Sequence, residues 1–179
     1  MMEKEKVGSL LHLIAKKSKV IYLTRLLKLI YLIDEKSILE IGVPVTSFEY
    51  RVAENGPLVV DLWNNLKNSN LFYKYITVTK DSIEDGYKIT PVGEPDETLF
   101  SEYELELINN TVRDYRGYST RELIDHIHEK DNSLWKDIVF KNSISFEITK
   151  LSEHIIDFRD LIKDNETLSS FYDTYRITR

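Results

Sequence analysis

Four histidines are the first residues to test for chemistry in this chain: His12, His126, His128 and His154. His126 and His128 are two positions apart, so on a helix they point about 200° away from each other. Zinc sites on helices instead use ligands spaced three or four residues apart. His128-Glu129 resembles the start of a zincin motif, but no second histidine follows it. We therefore predict no metal site.

The signatures of other active sites are also missing. The six glycines form neither a dinucleotide-binding motif nor a phosphate-binding loop, and no Gly-x-Ser-x-Gly elbow occurs. The acidic pairs Asp34-Glu35 and Glu84-Asp85 are better explained as solvated charges than as a catalytic pair. A chain without cysteine excludes disulfides, thiolate zinc sites, iron–sulfur clusters and cysteine nucleophiles. We expect a protein that is not an enzyme and has no cofactor.

Length and composition predict one folded domain, either alone or with a small appendage. The chain has 179 residues, of which 42% are apolar and 30% charged. A chain of this size buries roughly 70% of the surface that its unfolded form exposes. Its 18 Phe and Tyr residues are spread along the whole length, which argues against disorder. The domain therefore needs neither a disulfide nor a metal to hold its core.

Charge is unevenly distributed along the chain. The formal net charge is −6, but residues 1–36 hold eight basic and four acidic side chains. This asymmetry either reflects an ordinary solvated surface or steers a basic partner toward the acidic remainder. The acidic balance argues against non-specific binding of nucleic acid. No export signal or membrane-spanning run is visible, so we expect a cytoplasmic protein without membrane association.

The strongest local signal is an apolar helix that begins near Thr24, a candidate N-cap, and ends at Gly42. A shorter amphipathic helix, Glu3–Lys17, precedes it, and a strand is predicted over Val45–Ala53. The sequence Asn55-Gly56-Pro57 predicts a turn, with Pro57 in the first turn of the next helix. The predicted fold class is thus α+β and predominantly α-helical.

Later segments complete this prediction. Strands over Phe72–Lys80 and Tyr87–Pro91, joined by Asp81–Gly86, predict a small antiparallel β-hairpin. Helices are expected over Ser101–Arg116 and from the capping-box sequence at Ser119 to His128. A short segment follows at Asn132–Phe140, and one more helix is expected from Thr149. The whole predicts a compact helical domain, residues 1–140, around a central buried helix, with a C-terminal helical extension, residues 141–179, packed on it.

The order of short helices followed by a hairpin is also compatible with a second class of protein, a winged-helix transcriptional regulator that binds DNA. A recognition helix should direct Arg, Lys, Asn or Gln toward base edges. The helix before the hairpin, Pro57–Asn68, offers three asparagines but a single cation, Lys67, beside Asp61. This interpretation is the alternative to the one that follows.

Several motifs in sequence order resemble the Panacea domain family, also called SocA-like or phage-associated GepA-like antitoxins. The first is the stretch Leu26–Asp34, and Gly42-Val43-Pro44 matches a Gly-x-Pro that follows it in the family. Next comes a strand that ends in a Gly-Pro pair, here Gly56-Pro57. Downstream matches are Ser119–Leu123, then His128 and Leu134-Trp135. The resemblance covers roughly Thr24–Phe140, with two departures: Leu134 replaces the family's proline, and Ile33 replaces its alanine.

This resemblance implies an antitoxin of a toxin–antitoxin system that neutralises its cognate toxin by direct protein–protein contact. One relative delivers its toxin to a AAA+ protease, so a role as a proteolytic adaptor is a further expectation. We also expect a groove between the central helix and the Gly56–Asn68 helix, edged by the hairpin, to bind the toxin. The candidate partner-binding residues are Lys28, Tyr31, Asp34, Gly56, Pro57, Trp63, His128 and Trp135.

Among these candidates, several also have a structural interpretation. Gly56 and Pro57 are expected mainly to form a turn, and Asp34 to be hydrogen-bonded or paired with Lys28 or Arg51. His128 and Trp135 are expected mainly to pack in the core, although a tryptophan can also anchor a partner. The sequence does not fix the oligomeric state.

Overall fold

A computed structural model describes residues 4–83 and 86–178 of the chain. The helices are α1 (Lys4–Lys17), α2 (Leu23–Ile41), α3 (Val60–Asn68), α4 (Glu102–Asp114), α5 (Thr120–Glu129), α6 (Leu134–Lys141) and α7 (Glu166–Ile177). The strands are β1 (Ile21–Tyr22), β2 (Tyr50–Ala53), β3 (Ile76–Asp81), β4 (Gly86–Pro91) and β5 (Leu151–Ile156). The fold is α+β and predominantly helical, as the sequence predicts.

The central helix of the fold is α2. Its apolar side chains from Leu23 to Ile38 are almost completely buried, and α1, α4, α5 and α7 pack around it. Gly42 ends the helix in the left-handed conformation, with φ of 72°, and its N–H donates to the Ile38 carbonyl at 2.9 Å. The predicted end of the helix is therefore confirmed.

The start of α2 differs from the prediction. Its N-cap is Tyr22 rather than Thr24, and no side chain caps the helix. Tyr22 is extended because it belongs to the short strand β1, where it pairs with Lys88 of β4. A contact with a residue more than sixty positions away therefore sets the start of the helix, which local capping signals could not show.

Two small antiparallel sheets lie against the helices. One has the strand order β1-β4-β3, and its β3–β4 pair is the predicted hairpin. The predicted connection Asp81–Gly86 includes residues 84 and 85, which lie outside the described residues. The other sheet pairs β2 with β5, with Tyr50 opposite Ile156 and Ala53 opposite Leu151. The first sheet packs against α1, so contacts of β3 and β4 with this helix anchor the hairpin to the core.

The C-terminal region is only partly the predicted helical extension. Residues Leu151–Ile156 form strand β5 instead of the first turns of a helix, and a 3₁₀ turn follows at Phe158–Leu161. The spacing of Leu151 and Ile155 fits a helix, but their backbone pairs with β2. Only α7, which packs on α2, keeps the expected helical form.

Capping chemistry sets the start of the two helices that follow the hairpin. Ser101 and Ser119 each accept a hydrogen bond from the backbone of the residue three positions on, Glu104 and Glu122. The carboxylate of each glutamate in turn accepts a hydrogen bond from the backbone N–H of its serine, which completes a capping box. The predicted capping box at Ser119 is confirmed.

Candidate binding site

A buried lysine lies beneath the Gly-Pro turn that separates β2 from α3. Lys28 is buried in the middle of α2, and its Nζ donates to the Pro57 carbonyl at 2.6 Å. Burial lowers the pKa of this ammonium group to about 7, because the protein interior solvates its charge poorly. The hydrogen bond joins the central helix directly to the turn.

Gly56 occupies a position that suits glycine for two reasons. Its φ is +89°, a conformation that side chains with a Cβ rarely adopt. A Cβ at this position would lie 3.2 Å from Nε2 of His128 and 3.4 Å from Cε of Lys28. A Cβ would therefore crowd His128, whereas its distance from Lys28 would be an ordinary contact.

We expect Gly56→Ala to lower the free energy of unfolding by about 1–3 kcal/mol, through backbone strain and crowding against His128. Gly117→Ala is the matched control, because a Cβ there would meet nothing within 4 Å and its φ is not positive. Denaturant midpoints of the two variants and the parent give the comparison. Equal stability of the two variants would contradict the role assigned to Gly56.

His128 and Trp135 form the other side of this cluster. Their rings stack with centroids 3.5 Å apart and planes 8° apart, and Trp135 Nε1 donates to the Ala53 carbonyl at 2.8 Å. Burial, and secondarily the charge of Lys28, lowers the pKa of His128 to about 4. His128 is therefore neutral near pH 7. Its buried Nε2 has no hydrogen-bond partner among the described residues.

Asp34 makes a separate buried network, and its predicted partners are wrong. Neither Lys28 nor Arg51 pairs with it. Its carboxylate instead accepts bonds from the Thr46 backbone N–H at 2.8 Å, the Thr46 hydroxyl, and the Tyr50 hydroxyl at 2.6 Å. Burial raises its pKa to about 6, although these hydrogen bonds oppose the rise. The network attaches the segment before β2 to the central helix.

Tyr31 is fully buried one helical turn from this network. Its hydroxyl donates to Glu35 at 2.9 Å, and Lys130, just after α5, forms an ion pair with the same carboxylate. The ring of Tyr31 packs on Tyr50 and Phe158. Sequence analysis did not identify Lys130, because nothing in the local pattern links it to a residue 95 positions earlier.

Trp63 lies apart from the other candidates. It is half-buried on α3, and Lys67 Nζ lies 5.0 Å from its ring centroid and 4.9 Å from that of Tyr87. The single cation of the proposed recognition helix thus contacts two rings of its own domain. This arrangement disfavours the DNA-binding interpretation, which needs that cation at a phosphate or base.

An open groove of about 700 Å³ lies between the start of α1, the segment before and within β2, and α3. Its floor is largely apolar and its rim carries charges of both signs. The lining residues are Lys4, Val7, Ser47, Phe48, Glu49, Arg51, Val59, Val60, Asp61, Leu62, Asn65, Leu71 and Phe72. The predicted groove lay between α2 and the Gly56–Asn68 helix, edged by the hairpin, but no described residue of α2, β3 or β4 lines this one.

The candidates divide into two groups by position. The turn between β2 and α3 brings together one group: Lys28, Gly56, Pro57, His128 and Trp135. The other group, Tyr31 and Asp34, contacts β2 and the segment before it from the buried side. None of these seven lines the groove; together they hold its wall in place. The lining residue Arg51 was missed as a site residue, although the alternation of Phe48, Tyr50 and Val52 predicts that residue 51 faces the other way.

The fold and these contacts define a helical scaffold with an open groove. Buried polar side chains of this scaffold contact the segments next to the groove-lining residues. A family model described as "Antitoxin SocA-like, Panacea domain" matches residues 26–136, more than half of the chain. The chain belongs to the SocA-like antitoxin family with a Panacea domain. No curated protein and no solved structure matches it.

Family membership supports an antitoxin role and implies a toxin as the partner in general terms. It also suggests a non-catalytic role. Among residues 4–83 and 86–178, no helix is both long and apolar enough to span a membrane.

Proposed function

We propose that the protein neutralises a cognate toxin by binding it directly in the groove between α1, β2 and α3. The observation that carries this proposal is the convergence of Lys28, Gly56, Pro57, His128 and Trp135 on the turn between β2 and α3, two elements that line the groove. These residues include matches to the family motifs, and their contacts join the turn to α2, α5 and α6, which supports a rigid scaffold beside the groove.

The composition of the groove supports a protein partner. Val60, Phe48 and Leu71 provide partly exposed apolar surface, while Arg51 and Asp61 lie at its edge. An apolar centre with a charged rim is the usual anatomy of a specific protein–protein interface. Rigid walls also reduce the entropy that must be lost on association, because few side chains need to be ordered.

Two neighbouring asparagines on α3 allow a matched test. Asn65 lines the groove, whereas Asn64 is exposed and does not. We expect Asn65→Arg to weaken toxin binding by roughly tenfold or more, because a long charged side chain would fill the groove. Asn64→Arg adds the same charge one residue away and should bind as the parent does.

The toxin for this test is the product of a small reading frame next to this gene. That product must be lethal when expressed alone and harmless when expressed with this protein. Rescue of growth and affinity for the purified toxin are compared for the parent and both variants. Retained rescue and affinity in Asn65→Arg would reject the groove as the toxin site. Toxin half-life in the same cells reports on the adaptor role: protease-dependent shortening supports delivery to a AAA+ protease, and an unchanged half-life supports neutralisation by binding alone.

A further inference from the structure

A second pocket lies at the opposite end of α1 from the groove. It has a volume of about 290 Å³ and is bounded by the end of α1, the start of α2, the end of α4 and the loop before α5. Lys4 lines the groove and Lys17 lines this pocket, so the length of α1 separates them by roughly 20 Å. The two sites are therefore far enough apart to be tested independently.

The charge of this pocket is opposite to that of the protein. Among the residues that the structure describes, its lining includes four cations, Lys17, Lys19, Arg25 and Arg116, and no carboxylate. In the described part of the chain, none of these four forms an ion pair. A chain of net charge −6 thus collects uncompensated positive charge at one place. Three of these four cations, Lys17, Lys19 and Arg25, lie in the basic segment of residues 1–36.

Arg25 is half-buried, and no carboxylate among the described residues pairs with it. Its guanidinium donates to the Tyr115 carbonyl at 2.7 Å and to the Tyr118 carbonyl, both of which are neutral acceptors. Burial lowers its pKa, which reflects the cost of desolvating a cation without a counter-ion. An arriving carboxylate would offset that cost.

The surroundings limit the shape of the anion that fits. The N-terminus of α5 borders the pocket, but the Glu122 side chain already accepts the Ser119 N–H at 2.6 Å. Asp114, next in the chain to Tyr115, is paired with Lys36. A long polyanion would meet these carboxylates, so a short anionic segment fits better. Val20 and Tyr118 add apolar surface, with 54% and 39% of their area exposed.

We propose that this pocket docks a short acidic segment, rich in Asp and Glu with an apolar residue among them, of a protein partner. The cations bind its carboxylates, and Val20 and Tyr118 contact the apolar residue. This site is separate from the toxin groove, and the proposal does not depend on the groove being correct.

The test uses the purified full chain and a fluorescein-labelled peptide of Asp and Glu residues around one leucine. Fluorescence anisotropy is measured at about 0.05 M and 0.5 M salt. The pocket variant carries Lys17→Gln, Lys19→Gln and Arg116→Gln. The control variant carries Lys74→Gln, Lys80→Gln and Lys163→Gln, which remove the same charge from exposed positions that do not line the pocket.

We expect the parent and the control variant to bind the peptide at low salt, and the pocket variant to bind it roughly tenfold more weakly. Higher salt should weaken binding by the parent. Equal binding by the two variants, or no binding by the parent at low salt, would overturn the proposal. A short DNA duplex is tested in parallel, and tighter binding of that duplex than of the peptide, lost in the pocket variant, would overturn it in favour of nucleic acid.

Discussion

Replacing Asp34 with alanine is expected to lower the free energy of unfolding by on the order of 3–5 kcal/mol. The carboxylate accepts hydrogen bonds from the Thr46 backbone, the Thr46 hydroxyl and the Tyr50 hydroxyl, all in a buried region. Its removal leaves three buried donors without an acceptor and creates a cavity beside α2. Each unpaired donor stays buried and cannot form a hydrogen bond to water instead. The loss of stability therefore exceeds the net contribution of the hydrogen bonds themselves.

Urea unfolding near pH 8 measures this effect, since Asp34 is ionised there despite its raised pKa of about 6. Asp131→Ala is the control, because this aspartate is exposed and should change the midpoint little. Asp34→Asn, which keeps an acceptor oxygen and the side-chain volume, should fall between the two. An Asp34→Ala protein as stable as the Asp131→Ala protein would contradict the network as described.

Truncating Ile30 to alanine should cost about 2–5 kcal/mol, because the side chain is fully buried at the centre of α2. The loss combines the transfer of apolar atoms to water with the cavity left in a core that cannot collapse completely. Leu39→Ala tests the specificity of this result. Leu39 lies on the same helix but is 45% exposed, so its truncation should cost well under half as much.

The loss of unfolding free energy in each of the two variants is calculated from its denaturant midpoint, with a common m-value. Similar small losses in the two variants would place α2 at the periphery and remove it from the centre of the fold. Because α1, α4, α5 and α7 all pack on this helix, such a result would also undermine the positions assigned to Lys28 and Asp34.

Local signals predicted much of the fold. The apolar stripe of α2, its end at Gly42 and the capping box at Ser119 depend on residues within a few positions, and each was confirmed. Strand β5 was missed because Leu151 and Ile155 fit a helical period equally well, and only pairing with β2 decides between the two. The helix expected from Pro57 begins instead at Val60, since Leu58 bridges back to Arg51.

The candidate site was predicted by residue type more than by geometry. Family resemblance selected Lys28, Gly56 and His128, but only the fold shows that they meet at one turn. The partners of Asp34 were wrong because charge suggested a lysine or arginine, whereas the buried region supplies hydroxyl and amide donors. Groove residues such as Asn65 carry no distinctive local signal.

The pairing of β2 with β5 has a consequence for synthesis on the ribosome. Strand β2 ends at Ala53, and its partner begins about one hundred residues later, at Leu151. At roughly 5–20 residues per second, translation separates the two strands by about 5–20 s. During that interval the nascent chain acquires its later motif residues, from Ser119 to Trp135, but still lacks the strand that pairs with β2. The sheet of β2 and β5 can therefore form completely only when Ile156 has left the exit tunnel.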